Sequence, residues 1–284
     1  MNLSRRRASL VVSGLSVLAL CGLWQLASLI FTSKGFGGAP LVAGWQWLIT
    51  KAFPSLSNYG HGGNGVAIGH GGGVGSYSGA FTVVIDASWA TLKRVIVGFT
   101  LGAVVGIGLA LATSWSAWGR RLVAAPAQAL RMVPLLALIP LFQQWFGISF
   151  KGVILFVAFG VAAVFFAATV IAVKNVPPVL LRNAQMLGAS RARIYRTVVI
   201  PAIVPQMRTA LFLAIGVGWT ATLGAELLGV QSGLGFIIAQ AQQFTRLDRI
   251  AVIGVVFAFW SLLSLVVAEL VTRRLVRWQP RAQR

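Results

Sequence analysis

Apolar residues in this chain gather in blocks and do not alternate with polar ones. Six blocks, at about 9–31, 88–113, 122–146, 152–173, 205–229 and 250–272, each exceed twenty residues. A hydrocarbon layer about 30 Å thick is crossed by about 20 helical residues. The pattern therefore predicts an all-α polytopic membrane protein with about six transmembrane helices. The first block follows Arg5, Arg6 and Arg7. It is long for a signal peptide, and Leu20 is too bulky for a small-residue cleavage site before Cys21, so it is read as a spanning helix.

The residues between blocks orient the helices. With the N-terminus inside, sixteen of the Lys and Arg residues fall on inside segments and seven on outside segments or their flanks, while Arg131 lies within a block. Basic loops stay on the cytoplasmic side, which places both termini there. The expected division is a tail and first helix over 1–31, an extracytoplasmic segment over 32–87, a membrane core over 88–278 containing a cytoplasmic loop at 177–205, and a tail over 279–284. The glycine-rich stretch 60–79 is expected to be a flexible part of the outer segment. Its His61 and His70 are too few to hold a metal, so no metal site is expected. Trp45, Trp47 and Phe53 suit the outer membrane interface.

Composition narrows the function. The chain is 57% hydrophobic, with 24 Lys and Arg against 4 Asp and Glu, a formal charge of +20. Its mean hydropathy is +0.84. In a soluble protein such charge would suggest nucleic acid. Here the basic residues flank apolar blocks, which makes membrane lipid the partner and excludes nucleic acid. No GxxxxGK[ST] phosphate loop occurs, so no nucleotide cofactor is expected on this chain. The four acids (Asp86, Glu226, Asp248 and Glu269) and two histidines do not supply a catalytic constellation, and they leave little for an ion-coupled carrier.

The stretch "RNAQMLGASRARIYRTVVIPAIVP" (182–205) lies between two blocks. Pro177 and Pro178 suit a helix start, and Leu180, Ala184 and Leu187 recur at helical spacing. Gly188 should end that helix and Ser190 should cap a second over 191–199, with Ile194, Tyr195 and Val198 on one face and Pro201 as its stop. Such a projection, an apolar ridge with a basic rim, suits either a protein groove or anionic lipid.

Ala184, Gly188, "LGAS" (187–190) and "VVIPAIVP" (198–205) resemble the cytoplasmic EAA loop of ABC-type importer permeases, and "RMVPLLALIPLFQQWFG" (131–147) and "AELLGVQSGLGFII" (225–238) resemble the nitrate, sulfonate and taurine branch. The resemblance covers about 88–278. It implies the ABC type I importer permease fold. It also implies a homodimer in the bacterial inner membrane, fed by an extracytoplasmic substrate-binding protein and driven by separate ABC ATPase subunits. ATP would be used by those subunits. The docking residues implied are Arg182, Asn183, Ala184, Leu187, Gly188, Ala189, Ser190, Ile194, Tyr195 and Pro201. The family glutamate falls at Arg182, and Asn183 replaces the second motif alanine. The partner groove then differs there, or an acidic partner residue meets Arg182.

Within the blocks, Gly98, Gly102 and Gly106 form a small-residue stripe suited to close helix packing. Pro126, Pro134 and Pro140 interrupt the third block, which either lines the substrate path or is a kinked packing helix. Arg131 and Glu226 are charges at membrane depth. They could pair or form a gate, Arg131 could meet an anionic solute, or it could snorkel to an interface. Glu269 and Arg273 are spaced to pair along a helix.

Overall fold

The computed structural model describes residues 3–31, 33, 39–62, 75–115 and 132–275. These residues are helical, with no strand among them. The helices are α1 (Leu3–Ile30), α2 (Tyr77–Trp115), α3 (Ile139–Phe146), α4 (Phe150–Lys174), α5 (Pro178–Met186), α6 (Arg191–Leu227), α7 (Leu234–Gln243) and α8 (Leu247–Leu275). Among the described residues four helices, α2, α4, α6 and α8, are long and apolar enough to cross a membrane. The first apolar block is helical as α1. Of the third, residues 122–131 lie outside the described residues, and the rest hold a 3₁₀ turn, Leu135–Leu138, followed by the short α3. Pro134 is the cause of that break. Its backbone leaves the helical region (φ −58°, ψ 112°), while Pro140 sits in the first turn of α3, where no N–H is required.

The chain forms two compact units, Met1–Ser88 with Phe236–Phe257, and Trp89–Gly235 with Ala258–Arg284. In the first, residues 39–62 of the expected outer segment are ordered, while 63–74 of the glycine-rich stretch lie outside the described residues. Residues 45–52 and Pro54–Gly62 are helical turns, and Leu48, Ala52, Leu56 and Tyr59 are buried. Two tryptophans, Trp24 and Trp45, serve as struts. Trp24 Nε1 donates to the Ala43 carbonyl at 2.9 Å, and Trp45 Nε1 donates to the Cys21 carbonyl at 3.1 Å. Arg249 donates to Ser55 Oγ (3.0 Å) and Tyr59 Oη (3.2 Å), so a buried cation stays hydrogen-bonded. Helix α2 also starts well before the apolar block at 88. Hydropathy marks the apolar block, whereas the helix begins earlier, at Tyr77. His61 lies in the last turn of the 3₁₀ segment, which ends at Gly62, and His70 lies outside the described residues.

In the second unit α4 is the central helix. Of its most apolar window 61% is buried, against 11% for α8, whose outward Val, Leu and Phe side chains suit lipid. Phe156, Val157, Val161 and Phe165 of α4 pack with Ala210, Ala214, Ala221 and Ala225 of α6. Lipid tails are as apolar as leucine, so this contact gains from close packing and not from leaving water. The glycine stripe of α2 acts in the same way. A Cβ at Gly102 would stand 2.6 Å from the Ala158 carbonyl oxygen, and one at Gly98 would stand 2.8 Å from Val157. The helices therefore touch backbone to backbone.

Gly102→Ala should lower stability by about 1–3 kcal/mol through overpacking, read as a fall in melting temperature of the purified protein. Gly108→Ala, where a Cβ meets nothing within 4 Å, should leave it unchanged.

Candidate functional site

Helix α5 starts at the expected prolines and ends in a Schellman motif. Ala189 N–H donates to the Ala184 carbonyl (3.1 Å), and Gly188 N–H donates to that of Gln185 (2.9 Å). Gly188 has φ +72°, where a Cβ is strained although the space is open. Ser190 then caps α6, its hydroxyl accepting from the Arg193 N–H.

Two expectations about this loop are corrected. Pro201 does not stop the second helix. Residues Tyr195–Val199 form a π-turn, with Ile200 N–H donating to the Tyr195 carbonyl, and the helix runs on to Leu227. The wider ring lies just before Pro201, where the ladder lacks an N–H. The apolar ridge of Ile194, Tyr195 and Val198 is also not offered outward. Ile194 is buried. Tyr195 Oη donates to the Leu111 carbonyl at 3.1 Å, and its ring meets Trp115 edge-on at 5.0 Å. On α5 the inward residues are Leu181 and Ala184. Leu181 packs on Ala172, Val176, Val199 and Ile203.

The outward face carries Val179 (61% exposed), Leu180 (45%), Met186 (79%) and Leu187 (87%). Arg182, Asn183, Gly188, Arg191, Arg193 and Arg196 are exposed around them, with Ala189 partly so. Arg191 rests on the Trp115 ring, 6.0 Å from its centroid.

The second constellation is buried. Glu226 ends up paired with Arg94, at 2.5 Å, with side chains 0% and 4% exposed. Thr91 Oγ1 donates to the same carboxylate at 2.9 Å, as does the Gly235 N–H. Arg94 reaches onward to the Ser232 carbonyl (2.8 Å) and hydroxyl (2.6 Å), and Thr91 Oγ1 accepts from the Leu234 N–H. Together these groups bind the loop after α6 and satisfy the first N–H groups of α7, where a carboxylate also favours the helix dipole. Glu226, expected as a gate or path residue, thus has its charge committed to a structural knot. Arg94 was missed because it was read as an outer flanking charge. The signal was its register: four residues before Gly98, it lies on the packing stripe of α2.

Arg131 and Pro126 lie outside the described residues. Pro134 and Pro140 are exposed around the break before α3. Gln143 Nε2 donates to the Leu228 carbonyl, holding α3 against the end of α6. Glu269 pairs with Arg273 (2.7 Å) as spaced, and also with Arg208 of α6 (2.6 Å). No cluster of metal-binding side chains occurs among the described residues.

Residues 98–279 match the family model described as binding-protein-dependent transport system inner membrane component. The chain belongs to that family. It is an ABC importer permease subunit, a transport component. It is 34% identical over 195 residues to the taurine transport system permease protein TauC of Escherichia coli (strain K12), covering 68% of this chain and 70% of TauC. It is 31% identical over 194 residues to a protein named for aliphatic sulfonates transport, the permease SsuC of the same strain, covering 68% and 72%. A structure of the MetNI methionine ABC transporter in inward-facing conformations shares the fold, with a TM-score of 0.57 at 22% identity over 69% of this chain and 97% of that one. The sulfonate and taurine branch expected from 131–147 and 225–238 is therefore the branch found.

For this permease subunit, Glu226→Ala should cost about 3–5 kcal/mol by leaving Arg94 buried and uncompensated, measured by thermal unfolding in detergent. The double variant Arg94→Met with Glu226→Leu should recover much of that loss. No recovery would show that the hydrogen bonds to the loop matter more than the charge pair.

Proposed function

We propose that this permease passes a small organic or inorganic anion of the sulfonate, taurine or nitrate class across a bacterial inner membrane. In this reading both termini are cytoplasmic, an extracytoplasmic binding protein delivers the solute, and a second copy of the chain completes the pore. Separate ATPase subunits dock on the 177–205 loop, whose candidate residues are Arg182, Asn183, Ala184, Leu187, Gly188, Ala189 and Ser190 on the elbow and Ile194, Tyr195 and Pro201 behind it. The names of TauC and SsuC, for taurine and aliphatic sulfonates, support the solute class.

The observation that carries the docking reading is the rigid corner at Met186–Gly188. Two large apolar side chains are held outward there by a fully hydrogen-bonded Schellman turn. A flexible loop would fold such side chains inward. A fixed, exposed pair fits insertion into a partner's groove. The inward side of the same loop supports a role in transmission, because Leu181 and Tyr195 pack on the ends of α2, α4 and α6.

Leu187→Asp should abolish co-purification of the cognate ATPase. It should also lower ATP-dependent uptake of taurine into proteoliposomes at least about tenfold, with insertion and melting temperature unchanged. Wild-type retention of the ATPase by Leu187→Asp would remove the corner from the interface. For the solute path, uptake by Arg131→Ala at equal protein levels should fall if its guanidinium meets the anion. Unchanged uptake takes Arg131 out of that path.

A further inference from the structure

The docking face has an unusual centre. Along α5, Val179, Arg182 and Met186 form one outward row, and Leu180, Asn183 and Leu187 form the adjacent row, each with i, i+3, i+7 spacing. Arg182 therefore stands between apolar side chains on both sides along its row. It is exposed, and none of the ion pairs among the described residues includes it. The whole of 177–205 contains no acidic residue that could serve it.

Resting on the docking reading above, we propose that Arg182 is the specificity-determining residue of this face, and that it meets a single carboxylate at the centre of an otherwise apolar socket on the ATPase. The four surrounding side chains exclude water when the face closes. A guanidinium trapped in that ring without an opposite charge opposes binding, while one forked onto a carboxylate favours it and rejects sockets that lack the acid. The order of residues also argues against a bilayer as the occupant. A lipid surface takes apolar side chains on the deep side and basic ones at the rim. Here the charge is central and the apolar groups lie on both sides of it. Arg191, Arg193 and Arg196 are set beyond the Gly188 corner and supply a rim that steers the approach of an acidic partner.

The test uses the full-length permease in nanodiscs with its cognate ATPase, measuring affinity for the wild type, Arg182→Ala, Arg182→Glu and Leu187→Asp. A library of the ATPase in which each surface Asp or Glu is reversed to Arg is then screened against Arg182→Glu. The expected result is a loss of about a hundredfold or more for Arg182→Glu, with a smaller loss for Arg182→Ala. One reversed acid should restore Arg182→Glu and fail to restore Leu187→Asp. If Leu187→Asp releases the ATPase while Arg182→Glu stays within about twofold of wild type, docking stands and the central carboxylate is wrong. If Arg182→Glu is released and no reversal restores it, the single-acid socket is also overturned. If both variants hold the ATPase, the docking reading itself falls. Binding of both variants to phosphatidylglycerol vesicles then decides whether the face lies on lipid instead. Melting temperatures of all variants are measured alongside, and the exposure of both side chains predicts no shift.

Discussion

Hydrocarbon offers no water to a broken helix, and this constraint shapes the protein wherever its backbone leaves helical geometry at membrane depth. The segment between α6 and α7 is the clearest case. It turns through Gly229 and Gly233, both at positive φ, and exposes carbonyl and N–H groups that no helix ladder can reach. Arg94 takes the Ser232 carbonyl, Glu226 takes the Gly235 N–H, Thr91 takes the Leu234 N–H, and Gln143 takes the Leu228 carbonyl. A charged pair is a costly way to fill such a site, and a well-packed apolar pair can match it in stability. What the ions add is reach. One guanidinium bonds a carboxylate, a carbonyl and a hydroxyl at once, and that fixes a loop that leucines could only cover.

The same helix face solves a second problem. Stepping along α2 by fours from Arg94 gives Gly98, Gly102 and Gly106. The first position holds the loop, and the next three let α2 lie against the backbone of α4. Two functions share one stripe because a helix has only one face toward its neighbour. A Cβ at any of the three would press into α4. The stripe thus carries an electrostatic contact at Arg94 and van der Waals contacts at the three glycines.

Much of the architecture was legible. Block length marked α2, α4, α6 and α8 as crossing helices, since apolar run length answers directly to bilayer thickness. The prolines at 177–178, the elbow at Gly188 and the cap at Ser190 were legible because each is a local rule of helix ends. What could not be read depended on partners distant in sequence. Apolar spacing on α5 picked out Leu180, Ala184 and Leu187, and of these only Ala184 faces inward, beside the packed Leu181. Nothing in the local spacing says on which side the ends of α4 and α6 will lie. Tyr195 was misread outward for the same reason: its partners, Leu111 and Trp115, lie about eighty residues away. The order in 39–62 escaped because composition reports entropy cost and not the struts from Trp24, Trp45 and Arg249 that offset it.

These misreadings bear on how a docking event could reach the membrane. Had the loop been two separate helices ended by Pro201, a partner's push would have been absorbed at the joint. Instead the second helix is continuous from Arg191 to Leu227, passing a single π-turn. Its N-terminal end packs against the ends of α2 and α4, and its far end carries Glu226. Displacing the Gly188 corner therefore acts on one rod, whose other end is the knot that holds the 228–235 loop. The regular ladder of this rod is interrupted at the π-turn and again at Pro205, which lacks an N–H inside the helix. If a partner presses on the Gly188 corner, the arrangement is a lever whose distant end is fastened by the Arg94–Glu226 pair.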